Sequence, residues 1–188
     1  DGWVDRATSD LSSLYGRVAK RWETGRLSLT TTLGHERTYQ AWYGVPQIAA
    51  NPESTEEEIR TWAAGSYEYS YGADTVRLND LIDRRGQHNY YRYENEVDDY
   101  RQDHVQVHLD QTFDNWTLGG VLFGTAGAGF YEQFRQGDDL ADYGIAPFIM
   151  GMDTAFTTDL VRRRWLDNTL MGSSWTLSNR TGAVEQVY

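Results

Sequence analysis

Asp99 to Phe134 reads DYRQDHVQVHLDQTFDNWTLGGVLFGTAGAGFYEQF. Val105, Val107, Leu109 and Phe113 alternate with His104, Gln106, His108, Asp110 and Thr112, the two-residue period of a β-strand. Asp114-Asn115 is a turn signal, and the spacing predicts a second strand from Trp116 to about Phe134. Each arm is more than a dozen residues long, whereas a globular strand runs to about five or six. Strands of that length suit a wall that crosses a bilayer.

The same reading extends outward. Ser12 to Trp22 alternates, with Leu14, Gly16, Val18 and Trp22 on one side and Ser13, Arg17 and Arg21 on the other; ETGR (Glu23 to Arg26) then turns the chain into LSLTTTLGHERTY (Leu27 to Tyr39). Downstream, a fifth strand is expected from Arg164 to Ser178. NRTG (Asn179 to Gly182) turns it, and a sixth strand begins at Ala183. Only six residues remain to Tyr188, short of the roughly 9–11 that span a membrane, so the chain is expected to end inside an element. Two long polar segments separate these hairpins. In Tyr43 to Asp98, Ser54 to Glu57 reads as a capping box opening a short helix that Gly65 closes. Val76 to Gly86 reads as a second helix ended by glycine. The other long segment is Arg135 to Arg163.

Connections therefore alternate short and long, as in an outer-membrane barrel with tight turns on one side and long loops on the other. A soluble sandwich would show turn signals about every 8–12 residues. Trp22, Phe113, Trp116 and Trp175 lie near the short turns; Tyr39, Trp42, Tyr100, Phe130, Tyr131 and Trp165 lie near the long ones. Tyr100 to Phe113 is about 43 Å of strand, or roughly 33 Å of height at a tilt near 40°. That is close to the expected separation of two interfacial aromatic girdles.

Bulk composition narrows the classes. The 188 residues include no cysteine, which excludes disulfides and thiolate metal sites. A net charge of −11 argues against nucleic acid. Residues 43–98 hold 11 acids and 5 bases, residues 136–159 hold 5 acids and no base, and the remainder balances, so all the excess charge sits in the two long segments. No apolar run has the length of a membrane helix, and the longest, around Gly144 to Met152, is broken by Pro147. Transmembrane β-strands escape that criterion, because their alternation averages to polar. A start at Asp1, with no leader, suits a processed secreted protein or an internal piece of a longer one.

DGWVDRATSDL (Asp1 to Leu11), GHERTYQAWYGVP (Gly34 to Pro46), ENEVDDYRQDH (Glu94 to His104), FYEQFRQGDDLADYGI (Phe130 to Ile145) and DLVRRRWLDN (Asp159 to Asn168) resemble the barrel of TonB-dependent outer-membrane receptors, nearest to the iron-siderophore type of Bacteroidetes and their relatives. The motifs fall in family order over nearly the whole chain. The resemblance implies an all-β fold: about six antiparallel strands of a large transmembrane β-barrel, with long extracellular loops containing short helices. Residues 1–188 would form a partial barrel domain, without the plug and the remaining strands of a barrel of about 22. It further implies uptake of a metal chelate or similar scarce nutrient in the outer membrane of a Gram-negative bacterium. The implied partners are membrane lipid and, through an N-terminal part not in this sequence, the TonB complex. No enzymatic activity and no cofactor are expected.

Candidate sites follow from residue chemistry. NYYRYENE contains Tyr90, Tyr91, Arg92 and Tyr93, and RRR is Arg162, Arg163 and Arg164. Aromatics with arginines at a barrel mouth suit an aromatic, anionic or sugar-like ligand, but the favoured reading is structural, with the tyrosines in the upper girdle and the arginines paired with the acidic loops. His104 and His108 have the spacing of a helical zinc pair, but four residues of strand span about 13 Å, too far for one metal. GTAGAG (Gly124 to Gly129) lacks the Lys-Ser/Thr of a phosphate loop and reads as close packing against a plug or a bend in the wall. GDDLADY offers Asp138, Asp139 and Asp142 to calcium without the glycine geometry of an EF-hand, so a solvated acidic loop is favoured. The rival function is a soluble, aromatic-rich β-domain binding glycans; the outward-facing residues decide between the two.

Overall fold

The computed structural model describes residues 2–66, 71, 74–182 and 184–187. Six strands form one sheet in the order β1 (Ser9–Trp22), β2 (Gly25–Tyr39), β3 (Val97–Phe113), β4 (Trp116–Asp139), β7 (Thr157–Thr181) and β8 (Val184–Val187). The strands are mostly antiparallel, and each pairs with its neighbour in chain order once the loop hairpin β5 (Phe148–Met150) and β6 (Asp153–Ala155) is set aside. Three short helices, α1 (Gln47–Ala50), α2 (Glu56–Gly65) and α3 (Thr75–Arg84), lie in the first long segment. The residues at Ala183 and Tyr188, where the sixth strand was expected to begin and end, lie outside those described.

The long strands are longer than hydropathy predicts. β4 continues five residues past Phe134 and β7 starts seven before Arg164, so Arg135 to Arg163 is in good part strand. The added residues are mainly polar, and ladder hydrogen bonds need no apolar side chain. Apolar alternation therefore cannot report them.

The chain divides into two compact units. One comprises Leu11–Arg37, Asp99–Tyr131 and Arg164–Tyr188, the middle and turn-side parts of the strands. Its side chains sort cleanly by parity. On one face Trp22 meets Gln111, His35 meets Asp99, Phe130 packs on Trp165, and Gly120 lies under Trp175. On the other, His104 bonds Thr125, Asn168 bonds Tyr100, Arg164 bonds Tyr131, and Gly172 lies under Phe123. The first face thus carries Leu14, Val18, Trp22, Leu27, Leu29, Val105, Val107, Leu109, Phe113, Trp116, Leu122, Phe130, Trp165, Met171, Trp175 and Leu177. The second carries Ser13, Arg17, Arg21, Ser28, Thr30, Gln102, His104, Gln106, His108, Asp110, Thr112 and Thr125, together with the apolar Tyr15, Val121, Phe123, Leu166 and Leu170. Val18 is 73%, Trp165 69% and Met171 80% exposed on the first face.

Parity corrects one girdle assignment. Tyr100 and Phe113 are separated by an odd number of positions, so they point to opposite faces, and Tyr100 and Tyr131 belong to the polar side. The rim of the apolar face is built instead by Phe130 and Trp165, with ring centroids 5.0 Å apart. Trp42 also leaves the girdle: it lies in the helical unit, edge-on to Tyr91 at 6.2 Å. Trp165 to Trp175 is about 33 Å along the strand, or roughly 25 Å at a 40° tilt, the height of a barrel's apolar band.

The glycines of β4 also have a different partner from the one expected. A β-carbon on Gly127 would meet the Tyr100 hydroxyl, and one on Gly129 the Asp99 carbonyl oxygen and Tyr100 Cα. Tyr100 lies across β4 in a groove that these glycines open, and its hydroxyl accepts a hydrogen bond from Asn168 on β7 at 2.6 Å. Close packing is correct, but against a neighbouring strand.

The second unit comprises Asp1–Asp10, Thr38–Asp98 and Glu132–Arg163. Its core is Ala49, Ile59, Ala63, Tyr71, Leu78 and Leu81, with Val45, Ile48, Trp62, Ile82 and Tyr90 packed against it. The capping box of α2 starts one residue later than expected. Thr55 Oγ1 accepts from the Glu58 amide at 3.2 Å, and Glu58 returns an acceptor to the Thr55 amide at 2.7 Å, while Ser54 is buried and its carbonyl accepts from Arg85. The helix ends at Gly65 with Ser66 as its cap. α3 is stopped by Arg85 rather than Gly86. Arg85 takes φ 46°, and its backbone N–H donates to the Leu81 carbonyl.

Candidate functional site

The tyrosine run lies in the helical unit as a ring cluster. Tyr91 stacks on Tyr43 with centroids 5.5 Å apart and planes 7° apart, and Tyr90 meets Tyr43 edge-on at 5.1 Å. Arg77 sits 4.3 Å above the Tyr90 ring, a cation–π contact that replaces part of the guanidinium's lost water. Burial pushes the Tyr91 phenol well above its usual range, with the neighbouring Tyr43 and Glu96 acting in the same direction. It stays a neutral hydrogen-bond donor. Trp42 and Tyr43 are half exposed at 54% and 49%, so one side of the cluster is open. A cavity of about 560 Å³ in the same unit is lined by Pro46, Gln47, Ile48, Asn51 and Trp62.

Tyr93 and two of the three arginines converge elsewhere. The Glu132 carboxylate, on a residue 5% exposed, accepts from Tyr93 Oη at 2.9 Å and from Asn95 Nδ2 at 2.6 Å. It also accepts from Arg163 Nε at 2.9 Å and Nη2 at 2.6 Å. A bidentate guanidinium plus two further donors is what a buried carboxylate needs in place of water. Arg162, on the opposite strand face, donates twice to Gln133 Oε1, at 3.2 and 2.8 Å. Arg164 donates to Tyr131 Oη at 3.1 Å. Arg92 is exposed.

The seven predicted residues thus fall into separate settings: Tyr90 and Tyr91 in the ring cluster, Tyr93 and Arg163 on Glu132, Arg162 on Gln133, Arg164 on Tyr131, and Arg92 in solvent. Glu132 is the residue that sequence reasoning missed. Its signal is an acid at an even position of β4, in register with Leu122 and Phe130. Nearby Glu96 is buried and accepts from the Phe134 amide at 3.1 Å; desolvation raises its carboxyl above the usual range.

The metal candidates have other partners. Asp138 accepts from Arg135 and Tyr143, and Asp139 accepts from the Ala141 amide. His104 bonds Thr125 and His108 bonds Gln106, both on the polar face. Among the described residues no group of three or more acids and histidines is placed to hold a metal ion.

No protein-family model and no curated protein matches the sequence. Among solved structures the chain is similar to the crystal structure of the ferric-catecholate import receptor Fiu of E. coli K12 in its open form. The TM-score is 0.52 at 16% identity, over 98% of this chain and 26% of that receptor. The fold is that of a TonB-dependent receptor's barrel wall. The chain spans about a quarter of the receptor it matches. No helix among the described residues is long and apolar enough to cross a membrane, a criterion that does not touch strands.

Proposed function

We propose that this chain is a wall segment of an outer-membrane transport receptor, with its loop unit outside the cell and its short turns in the periplasm. The observation that carries this is the two-faced sheet. One face is mainly apolar, rimmed by Phe130 and Trp165 at one level and by Phe113, Trp116 and Trp175 at the other, while the other face is mainly polar on β2 and β3 and carries Tyr15, Phe123, Leu166 and Leu170 among its polar residues. A wall between lipid and a hydrated interior requires that division. A soluble glycan-binding β-domain would have to leave the whole apolar face in water, far beyond the few hundred Å² that a soluble monomer exposes.

The cargo we propose is a metal chelate of the siderophore kind, taken up with energy from TonB. The family-like motifs support this, as does the fold shared with a ferric-catecholate import receptor. Coupling to TonB and closure of the barrel would rest on parts of such a receptor outside these 188 residues. Of the predicted ligand contacts, Arg92 with the open edge of Tyr43, Tyr90 and Tyr91 is best placed to meet an aromatic, anionic chelate; Tyr93, Arg162 and Arg163 serve to hold the loop base. Deleting the gene should abolish uptake of radiolabelled iron supplied as a catecholate chelate under iron limitation, and Arg92→Ala with Tyr43→Ala should weaken it. Undiminished uptake by the deletion strain, across catecholate and hydroxamate chelates, would refute the reading.

A further inference from the structure

We propose that the turn formed by residues 2–7 and the end of α3 build a binding subsite for a neutral saccharide. Between them lies a cavity of about 420 Å³, whose walls include Trp3, Asp5, Arg6, Arg84 and Gln87. That volume is within the range of small-molecule sites.

The mount is rigid. The Gly2 amide donates to the Ala7 carbonyl at 2.6 Å and the Asp5 amide to the Gln87 carbonyl at 2.8 Å. Trp3 Nε1 donates to the Gly86 carbonyl at 3.1 Å, and Asn89 Nδ2 to the Asp5 carbonyl at 2.9 Å. Arg6, which lines the cavity, takes a left-handed backbone at φ 63°. Such conformations gather where a fold must present a ligand surface.

The chemistry of the walls selects the ligand class. Trp3 is 74% exposed although its one polar atom is already bonded, so a fixed indole presents its faces to solvent. A ring held in this way offers a flat apolar platform. The guanidinium groups beside it are already neutralised. Arg84 pairs with Asp5 through Nη1 at 2.9 Å and with Asp80 through Nε at 2.9 Å. Arg6 pairs with Asp5 at 3.1 Å and donates to the Tyr91 carbonyl at 2.7 Å. An anion gains little from arginines whose charge is spent. What remains is Arg84 Nη2, the exposed Gln87 amide and the spare lone pairs of Asp5, a set of donors and acceptors without net charge. A pyranose matches both halves, with a C–H face for the indole and hydroxyls for the polar rim. The subsite stands on the loop unit alone and does not depend on the transport reading.

The test is calorimetric titration of the full chain in detergent with maltotriose, cellotriose and mannotriose, each against wild type, Trp3→Ala and Trp3→Phe. At least one trisaccharide should bind more tightly than about 10 mM. Trp3→Ala should weaken it about tenfold with an unchanged melting temperature, and Trp3→Phe should retain most of the affinity. Added salt should leave binding unchanged, since the ligand carries no charge. Three outcomes overturn the proposal: no binding by any of the three sugars, equal binding by Trp3→Ala, or tighter and salt-sensitive binding of trigalacturonate.

Discussion

Alanine at Gly129 sets a methyl group against atoms that have no room to move. Its β-carbon would sit 2.7 Å from Tyr100 Cα and 2.8 Å from Tyr100 Cδ2, and closer still to the Asp99 carbonyl oxygen. Two of these are backbone atoms of β3, so relief requires the β3–β4 ladder to open. Overpacking of this kind costs about 1–3 kcal/mol. Gly124 is the internal control: the nearest atom to its added carbon is the Leu170 carbonyl oxygen at 4.0 Å, and alanine there gains about 0.5–1 kcal/mol by removing backbone freedom from the unfolded chain. The two variants should therefore differ by about 1.5–4 kcal/mol. Gly127→Ala separates side chain from backbone, because its new carbon meets the Tyr100 ring and hydroxyl together with Asn168 Oδ1. Removing the ring with Tyr100→Ala should relieve much of the strain at Gly127 and leave Gly129→Ala unrescued. Reversible urea unfolding of the full-length protein in lipid vesicles, compared at constant m-value, reads these differences directly. Equal midpoints for the Gly124 and Gly129 variants would show that Tyr100 does not cross β4 as described.

The face assignment makes a paired prediction: arginine at Val107 should cost about 2–4 kcal/mol near the bilayer midplane and arginine at Gln106 much less, and equal costs in the same unfolding assay would reverse it. Glu132→Ala removes the acceptor shared by Tyr93 Oη, Asn95 Nδ2 and the Arg163 guanidinium, and should lower stability by about 1–3 kcal/mol; a loss below about 0.5 kcal/mol, the scale of ordinary surface changes, would deny Glu132 its anchoring role. Acid should loosen the loop unit through His88. Its ring is fully buried between Asp80 Oδ2, 2.7 Å from Nδ1, and Tyr71 Oη, 3.0 Å from Nε2. Burial lowers its pKa below the ordinary 6.5 against the pull of Asp80, so the unfolded loop binds the proton more readily than the folded one. The contribution of His88 is complete above pH 6.5 and is lost as pH falls below it. Protease sensitivity of residues 43–98 should rise with acidification in wild type; a His88→Gln variant showing the same pH profile would assign the effect to another group.

The strands were legible in the sequence because successive side chains of a strand point to opposite faces, and a period of two survives any amount of tertiary detail. The limits of that legibility are equally physical. Tyr100 was assigned to the girdle by its distance from Phe113, although an odd separation on a strand excludes a shared face. The glycines of β4 were read as making room for something, but the occupant comes from β3, and pairing across strands leaves no local mark. At the candidate site, NYYRY and RRR marked candidate ligand contacts by composition alone. Composition could not tell that Arg163 and Tyr93 meet on Glu132 while Arg92 remains free for solvent. The helix end at Arg85 escaped for a similar reason. Gly86 is the natural residue for a left-handed stop, yet the bonds from Arg85 to the Asn51 and Ser54 carbonyls, at 3.3 and 3.1 Å, hold a side-chain-bearing residue in that conformation.

Two solutions to the burial of apolar surface coexist in this chain, and they separate the loop unit from the wall in physical terms. The loop unit hides Ile59, Ala63, Tyr71 and Leu81 almost completely, as a water-soluble core does, and covers them with the acidic helix face of Glu56 and Glu57. The wall hides almost none of its large side chains, since Leu14, Val18, Trp165 and Met171 are each more than half exposed. Burying one such side chain is worth about 1.5–3 kcal/mol, and in water the sheet forgoes that gain at position after position on one face. Only a medium that supplies the burial makes the sheet's sequence consistent with its structure. On the transport reading proposed above, lipid would do so for the mainly apolar face, and a hydrated interior would solvate the serines, threonines and histidines of the other. The acidic excess of residues 43–98 and 136–159 falls largely outside the strand middles, in segments where water solvates charge at little cost.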